Sequence, residues 1–419
     1  MEKQYLIVCG KLYDGLKDEL QAGMEILVEG NKIKEVGKNL SRPAGVEVID
    51  LSHLTVTPGL IDAHVHGYLM RWQDFLAGGS NYKSENYSTL ANLHTCQRSM
   101  ERGFTTIRLH GGGYLLADVK RVIDGGFFPG SRVRVCFNMM GSPGGHADQS
   151  AAFSTNPALS DLAETLIPTL GSGADFFRHK VRKEVKYGTD FVKLFIGGGF
   201  ASPNDGPEDQ QLCDEEIEAV ISTARGLYKP TTAHVYNPPL MQKLMHYGIT
   251  GMEHGSLMDE ETAKMFEDTN TYLVPTFCPY NEVINFNEEN LKKKDPWFQA
   301  KLRKYAQWLQ DGRKIIANSK IRLGYGTDFV TVHQCYESWY EWQSWFRAGI
   351  DPFRILKAAT MENARILEME SLVGSIEPGK FADIAGWHRD LMTDEDALSE
   401  CDFVMKDGVV YPTSNRINE

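Results

Sequence analysis

Two histidines separated by a single residue are the first feature of the sequence that could do chemistry. His64 and His66 lie in the segment PGLIDAHVHG. In a β-strand, residues i and i+2 point to the same face, so both imidazole rings can approach one metal ion. Imidazole nitrogens are common ligands of zinc. The spacing alone also fits ordinary core or surface histidines, so the interpretation depends on the residues that lie nearby.

Four further residues of ligand type lie in or at the end of other apolar segments. They are Lys193 in DFVKLFIGGG, His234 in TTAHV, His254 in GMEH and Asp328 in IRLGYGTD. A lysine in so apolar a segment must pair, reach solvent or change its charge state, because burying an unpaired ammonium is costly. Each of the four is by itself also typical of a structural polar residue, and Lys193 in particular of a buried salt bridge.

The segments that carry these residues alternate with helix-like stretches over the middle of the chain. Strand-like segments span residues 60–64, 105–109, 132–138, 191–196, 231–235, 251–254, 272–276 and 321–325. A helical stretch or long loop follows each of them, which is the pattern of an α/β fold of the (β/α)8 or TIM-barrel type. Active sites of such barrels lie at the carboxyl ends of the strands. We therefore expect the six side chains to meet there.

Both ends of the chain have a different texture, with short alternating strands and tight turns. Strand-like segments lie at 5–9, 25–29, 32–36, 46–51, 54–57, 382–387, 402–406 and 409–411. Gly-Asn at 30–31 and Asp-Gly at 407–408 are hairpin turn signals. The pattern predicts a small β-sandwich domain built from residues 1–58 and 369–419, around a barrel at 59–368.

The charge and composition of the chain argue against several classes of function. It has 419 residues and a net charge of −12. A chain this acidic has no general attraction to nucleic acid or anionic membranes. No apolar run approaches the ~20 residues that span a bilayer, and the first residues lack the apolar core of a secretion signal. Seven cysteines without paired spacing indicate reduced thiols, so we expect a cytoplasmic protein that binds neither nucleic acid nor membrane.

An aromatic run at residues 339–346 follows the eighth strand-like segment. Its tryptophans are spaced by three, which places them near one face of a helix. This pattern favours packing or a subunit interface over substrate stacking. We expect the protein to be a homo-oligomer.

The ordered motifs of the chain resemble those of the amidohydrolase superfamily. They include VTPGLIDAHVHG, GFTTIR, GSPGGHAD, DFVKLFIGGG, TTAHVYN, GMEHG, GYGTD and GSIEPGKFADI, and they span nearly the whole chain. Within the superfamily the chain is most similar to the imidazolonepropionase-like branch that includes Xaa-Pro dipeptidases (prolidases). The resemblance implies a metal-dependent hydrolase of amide or peptide bonds. Its substrate would be a small amide: a dipeptide, an Xaa-Pro-like compound or an N-acyl amino acid.

The resemblance also implies two divalent metal ions held by six residues. His64 and His66 bind the more buried ion, His234 and His254 bind the second, Asp328 binds the first, and Lys193 bridges both as a carbamate formed with CO2. This donor set suits Zn²⁺, with Mn²⁺ or Co²⁺ as alternatives. A hydroxide that bridges the two ions would attack the amide carbonyl, and Asp328 would carry the proton to the leaving nitrogen.

Five other residues are candidates for contacting the substrate. They are Tyr236, His146, Arg108, His110 and His333. Relatives place a tyrosine like Tyr236 on the substrate carboxylate, and His146 would polarise the carbonyl or meet that carboxylate, which makes it a second catalytic candidate. Arg108 is either a carboxylate anchor or a structural ion pair. Relatives carry an aspartate directly after this arginine; here the acid is absent, and His110 takes over part of that wall.

Two other functions are open at this point. One is a cyclic-amide hydrolase or deaminase of the same superfamily. Mononuclear deaminases place a glutamate three residues after the histidine of the fifth strand, where this chain has Asn237, and they lack a bridging lysine, so deamination is disfavoured. The other is a non-catalytic scaffold, which is disfavoured because all six ligand-type residues are present.

Overall fold

The computed structural model describes residues 3–70, 84–148, 156, 158, 170–280, 288–292, 295–331 and 337–414. Its strands are β1 (Gln4–Leu12), β2 (Gln21–Ala22), β3 (Glu25–Glu29), β4 (Lys32–Gly37), β5 (Glu47–Pro58), β6 (Leu60–Met70), β7 (Phe104–His110), β8 (Arg132–Cys136), β9 (Val192–Phe195), β10 (Thr231–Val235), β11 (Gly251–His254), β12 (Tyr272–Val274), β13 (Phe329–Thr331), β14 (Ile384–Trp387), β15 (Phe403–Lys406) and β16 (Val409–Tyr411).

The α-helices lie mainly between the strands of the middle region. They are α1 (Glu85–Glu101), α2 (Leu116–Asp124), α3 (Ala174–Tyr187), α4 (Asp214–Gly226), α5 (Pro238–Tyr247), α6 (Glu260–Asp268), α7 (Glu288–Leu291), α8 (Pro296–Asn318), α9 (Trp339–Arg347), α10 (Pro352–Lys357) and α11 (Asn363–Ile366), with a π-helical turn at Ala358–Glu362. In α9, Trp342 and Trp345 are buried in the barrel core, so these two tryptophans serve packing.

Strands from both ends of the chain form one eight-stranded sheet. Its order is β16–β15–β14–β5–β1–β3–β4, with β2 also paired to β1. Ile33 of β4 exchanges backbone hydrogen bonds with Gly379 and Lys380, in the segment that leads to β14, so the sheet folds back over its own apolar core. This sheet agrees with the predicted fold class, a barrel with a small β domain built from both ends of the chain. The predicted domain boundaries at 58/59 and 368/369 stay a prediction.

The middle region contains two four-stranded parallel sheets, β13–β6–β7–β8 and β9–β10–β11–β12. Backbone hydrogen bonds join them at both junctions. Met140, after β8, bonds to Lys193 and Phe195 of β9, while residues 322–325 bond to Leu273 of β12 and Ala63 of β6. The predicted α/β-barrel architecture is confirmed, and its strands bring their carboxyl ends to one side.

The prediction of a strand at 321–325 is wrong in detail. This segment forms only an isolated bridge from Leu323 to Leu273, and the strand that pairs with β6 is β13. The side-chain amide of Asn363 donates to the carbonyls of Tyr325 and Ile61, which replaces part of a regular ladder. A Cβ at Gly326 would lie 2.8 Å from Cβ of His64, so the backbone passes too close to β6 for a side chain.

The structure also bears on two expectations drawn from the composition, those on disulfides and on membrane-spanning helices. No disulfide joins the six cysteines that the structure describes. Within the described part of the chain, none of the helices combines the length and apolar character needed to cross a bilayer.

Candidate active site

His64, His66 and Asp328 lie in direct contact at the carboxyl ends of the barrel strands. Nε2 of His66 forms a hydrogen bond of 2.9 Å with Oδ1 of Asp328, and Nε2 of His64 lies 3.3 Å from the same oxygen. The backbone N–H of Asp328 donates to the carbonyl of His64 at 2.7 Å, which ties the two segments together. These three predicted ligands therefore surround one point.

His254, His234 and Lys193 lie beside this group. The ring centroids of His64 and His254 are 5.3 Å apart, and those of His254 and His234 are 4.6 Å apart. Lys193 is 1% exposed and pairs in register with Thr232 of β10. Its positive charge acts on all three of these histidines and lowers their pKa values further. The structure thus brings the six predicted ligand residues together.

The protonation states of these imidazoles fit a metal site. Burial lowers the pKa values of His64 and His234 well below the usual range, and that of His254 to about 3, so all three rings are neutral at pH 7. Neutral imidazole is the form that binds metal ions. Among the described residues, Nε2 of His64 and Nε2 of His234 are buried without a hydrogen-bond partner, which is rare for a buried polar atom. The residues present therefore fit divalent metal ions.

Asp328 supplies the negative charge of the group. Burial alone would raise its pKa, but the facing rings of His64 and His66 hold that pKa below its usual range. His64, His254 and Asp328 each place a ligand atom within 4.8 Å of the others. An ionised carboxylate among neutral imidazoles is a typical set of donors for a dication.

The backbone at two of these residues adopts a conformation that is unusual for a side-chain-bearing residue. φ is +71° at His254 and +58° at Asp328. Such left-handed residues cost about 1–3 kcal/mol and cluster at functional sites, where the surrounding structure enforces them. At His254 the left-handed turn breaks the alternation of β11 and directs the ring toward His64.

Glu253 is a central residue of the site that the sequence did not reveal. It is fully buried, and its Oε2 lies 2.7 Å from Nδ1 of His64. Its Oε1 accepts hydrogen bonds from Thr232 and Arg108, each 2.6 Å long. A carboxylate on one ring nitrogen fixes the tautomer and orients the other nitrogen toward a metal. The sequence signal that could have revealed Glu253 is an acidic residue within the short buried strand GMEH.

Arg108, a predicted substrate anchor, lies beneath the site and bonds to the protein. Its Nε donates to the carbonyl of Ala63 at 2.5 Å, its Nη1 to Tyr272 at 2.8 Å, and its Nη2 to Glu253. The side chain is 2% exposed. These contacts favour the alternative of a structural ion pair, and the anchor role stays a prediction.

Replacing Arg108 by methionine separates these two roles. We expect a loss of about 3–5 kcal/mol in the free energy of unfolding, because Glu253 would then be a buried carboxylate without its cation. The double variant Arg108→Met/Glu253→Gln removes that charge and should recover part of the stability. Urea unfolding measures both effects. An Arg108→Met protein of unchanged stability but raised KM would instead establish the anchor role.

His110 is buried against the back of His64. The two rings stack at 4.0 Å with an interplanar angle of 9°, and Nε2 of His110 lies 3.2 Å from the carbonyl oxygen of Ala63. Burial lowers the pKa of His110 well below its usual value, so the ring is neutral. The contacts place His110 in the packing that supports His64, and its predicted substrate contact stays untested. His333 lies outside the described residues.

Tyr236 lies directly on the histidine cluster, and its predicted contact with the substrate stays a prediction. Its ring stacks on His254 at 5.1 Å and meets His234 edge-on at 4.9 Å. Its hydroxyl forms a short hydrogen bond with that of Tyr280, a residue that the sequence analysis missed. Burial raises the pKa values of both phenols, so both remain protonated donors.

His146 also reaches the cluster, from the segment after β8. Its ring stacks on His234 with centroids 4.5 Å apart. Its Nδ1 contacts Ser202 and Asp205, which the sequence analysis did not single out. The structure therefore places a second acid–base candidate beside the predicted metal ligands, with its own carboxylate partner.

The profile of the amidohydrolase family matches residues 55–413, which include every one of these residues. The chain belongs to the amidohydrolase family. It is accordingly a metal-dependent hydrolase of the type that the sequence motifs predicted.

Individual relatives of this amidohydrolase agree with that assignment. It is 24% identical to the ochratoxinase of Aspergillus niger over 360 residues, which cover 82% of this chain and 72% of the relative. A crystal structure of a Xaa-Pro dipeptidase with bound methionine is 26% identical, with a TM-score of 0.86 over 98% of this chain and 100% of the other. A prolidase complexed with N-methylphosphonate-L-proline, 23% identical, shares the fold with a TM-score of 0.84 over 98% of this chain and 100% of that one.

Proposed function

We propose that this amidohydrolase uses two divalent metal ions to cleave the amide bond of a small substrate, a dipeptide or an N-acyl amino acid. One observation carries the proposal: His64, His66, His234, His254 and Asp328 converge around buried imidazole nitrogens that accept or donate no hydrogen bond among the described residues. The similarity to a Xaa-Pro dipeptidase favours a dipeptide with proline on the leaving side.

The ligands divide between two ions in the proposed site. His64, His66 and Asp328 would hold the first ion, and His234 and His254 would hold the second. Lys193 lies among them, and burial lowers its pKa to about 8. Its neutral amine would add CO2 and release a proton to water, and the resulting carbamate would supply oxygen donors to the metal ions. Imidazole and carboxylate donors suit Zn²⁺, with Mn²⁺ or Co²⁺ as alternatives.

Bound divalent ions polarise a substrate carbonyl and lower the pKa of water from 15.7 toward about 7. The chain's own residues then handle protons and orientation. Asp328 is ionised, so it can accept a proton from the attacking water and deliver it to the leaving nitrogen. The protonated hydroxyl of Tyr236 can donate to the substrate's carboxylate, and His146 faces the carbonyl or that carboxylate.

A substrate screen with metal analysis tests the proposal. Zinc-loaded protein is incubated with a library of dipeptides and N-acyl amino acids that includes leucyl-proline and N-acetyl-leucine. We expect about two zinc ions per chain and release of free amino acids. Ammonia release from nucleobases or ring opening of cyclic ureas, without dipeptide cleavage, would favour the other enzymes of the family. Fewer than one ion per chain and no turnover would favour a scaffold.

The carbamate makes metal reconstitution depend on CO2 and on pH. Only the neutral amine of Lys193 reacts with CO2, and its fraction rises about tenfold between pH 7 and pH 9 when the pKa is about 8. At a fixed concentration of dissolved CO2, we therefore expect reconstitution of the metal-free protein with zinc to accelerate about tenfold over this range. The readouts are bound zinc and a mass gain of one CO2. Equal zinc uptake in CO2-free buffer would contradict the carbamate.

The remaining expectations are that the protein is a homo-oligomer in the cytoplasm. Gel filtration with light scattering checks the first. The predicted domain boundaries are checked by limited proteolysis.

A further inference from the structure

A buried hydrogen-bond network surrounds His146 beside the candidate metal site. Nδ1 of His146 lies 2.7 Å from Oγ of Ser202 and 2.9 Å from Oδ2 of Asp205. Gln211 connects to both ends, because its Oε1 accepts from the backbone N–H of His146 at 2.8 Å and its Nε2 donates to Asp205 at 3.1 Å. The Asp205 side chain is 6% exposed. These four residues and Lys301 form what we call the His146 network.

Lys301 supplies the counter-charge of the network from helix α8. Its Nζ donates to Oδ1 of Asp205 at 3.1 Å and to the carbonyls of Gly199 and Ser202 at 2.9 and 2.5 Å. A buried carboxylate is stable only with a partner charge and saturated hydrogen bonds. Lys301 therefore keeps Asp205 charged and fastens the loop after β9 in one position.

The ring of His146 has little freedom to turn. A Cβ at Gly199 would lie 2.4 Å from Cε1 of the His146 ring and 2.8 Å from Nε2, so only glycine leaves room for the ring. The ring also stacks on His234. Gly199, the last residue of the glycine run 197–199, therefore makes room for the His146 ring, and this role is separate from the flexibility that a glycine run usually indicates.

The partners of Nδ1 determine where the ring carries a proton. An ionised carboxylate can only accept hydrogen bonds, so Nδ1 must donate to Asp205. In a neutral ring this is the Nδ1–H tautomer, and in a charged ring both nitrogens are protonated. In either state Nε2 is the nitrogen through which His146 would meet a substrate, as in other histidines oriented by a carboxylate.

We propose that Asp205 is a positioning residue that acts through His146: it holds a proton on Nδ1 and thereby directs Nε2 toward the amide substrate, with Lys301 as its counter-charge. The proposal rests on the proposed function, in which His146 meets the substrate. It adds two residues, Asp205 and Lys301, that lie outside the metal ligands.

The test compares Asp205→Asn with Asp209→Asn, a variant in the same loop whose carboxylate accepts only from the backbone of Gly206 among the contacts described. In Asp205→Asn we expect kcat for leucyl-proline to fall about 10- to 100-fold, with KM changed less than about threefold and two zinc ions retained. Lys301→Met should show a smaller loss of the same kind. Asp209→Asn should match the wild type.

A spectroscopic readout separates this proposal from the proposed function. The ¹⁵N shifts of the His146 ring in zinc-loaded protein, assigned with His146→Gln, should show a protonated Nδ1 in the wild type and an Nε2–H tautomer in Asp205→Asn. If the wild type cleaves no dipeptide, the proposed function fails, yet the ¹⁵N shifts still decide the role of Asp205. An unchanged tautomer, or a loss of activity that only follows loss of zinc or of folded protein, would overturn the proposal.

Discussion

Asp328→Asn will lower kcat by about 10³-fold while most of the bound zinc remains. The substitution keeps the size and one oxygen of the side chain, so a ligand atom and the contact with His66 can persist. It removes the basic carboxylate, and an amide cannot carry a proton from water to the leaving nitrogen. General acid–base catalysis by a positioned group contributes about 10²–10⁴-fold. The measurements are kcat for leucyl-proline and zinc per chain.

Asp62 provides a matched control for this variant. Asp62 is a buried carboxylate of the same region, whereas the Asp328 side chain is 19% exposed. Asp62 accepts from Thr327 and from the backbone N–H of His64. Burial raises its pKa to about 7, so a neutral asparagine resembles a state that the protein already tolerates. We expect Asp62→Asn to lose some stability and to keep kcat within about tenfold. If Asp328→Asn keeps more than a tenth of the wild-type kcat, the proton-transfer role is lost.

The positions of the predicted metal ligands could be anticipated because they follow from local patterns. Each lies within or just after a short apolar segment, and parallel strands of one barrel must end on the same side. The order of motifs also indicated the family. The assignment of two ions and the carbamate on Lys193 came only from the family resemblance and stay predictions, since both depend on groups that come from outside the chain.

Glu253 could not be anticipated from strand alternation. It is adjacent to His254, and in a regular strand the two side chains would point to opposite faces. The left-handed backbone at His254 turns its ring back toward His64, so both neighbours contact the same histidine. A positive φ at a histidine has no clear sequence signal, whereas glycine at such a position would have one.

The His146 network was hidden for a different reason. His146, Asp205 and Lys301 are far apart in the sequence and come from three different connections of the barrel. No periodicity links residues of separate loops and helices, so only the folded chain shows that these three meet. The eighth strand illustrates the same limit, because the Asn363 side chain and the close passage at Gly326 determine the path of residues 321–326.

Lys193→Met will remove catalysis and metal while leaving the metal-free protein at least as stable as the wild type. Burial displaces the pKa of Lys193 from 10.5 to about 8, which corresponds to a cost of about 3 kcal/mol for holding the charged amine in the fold. The penalty grows as the pH falls from about 10.5, the pKa of the free amine, to about 8, and it is fully present below about pH 8. Methionine fills similar space without that cost.

The same change removes the proposed bridging oxygen donor, because methionine cannot form a carbamate. We expect less than one zinc ion per chain and a loss of kcat of at least about 10³-fold. Lys193→Ala leaves a space that a small carboxylate can enter, so acetate should restore part of the zinc binding and activity, and chloride should not. Zinc content, Tm of the metal-free protein and kcat are measured on each variant.

Lys380→Met is the matched control because Lys380 is also buried but is fully paired. Its Nζ contacts Glu377 at 3.0 Å and Ser375 at 2.5 Å, and none of its described contacts is with a predicted metal ligand. Its replacement should lower Tm and leave zinc and kcat unchanged, the reverse of the pattern at Lys193. A Lys193→Met protein that keeps two zinc ions, or that loses Tm as Lys380→Met does, would show that Lys193 is a structural lysine. Loss of zinc with an unchanged or raised Tm would instead support the carbamate: the fold then tolerates the cost of a buried amine because that amine becomes a metal ligand.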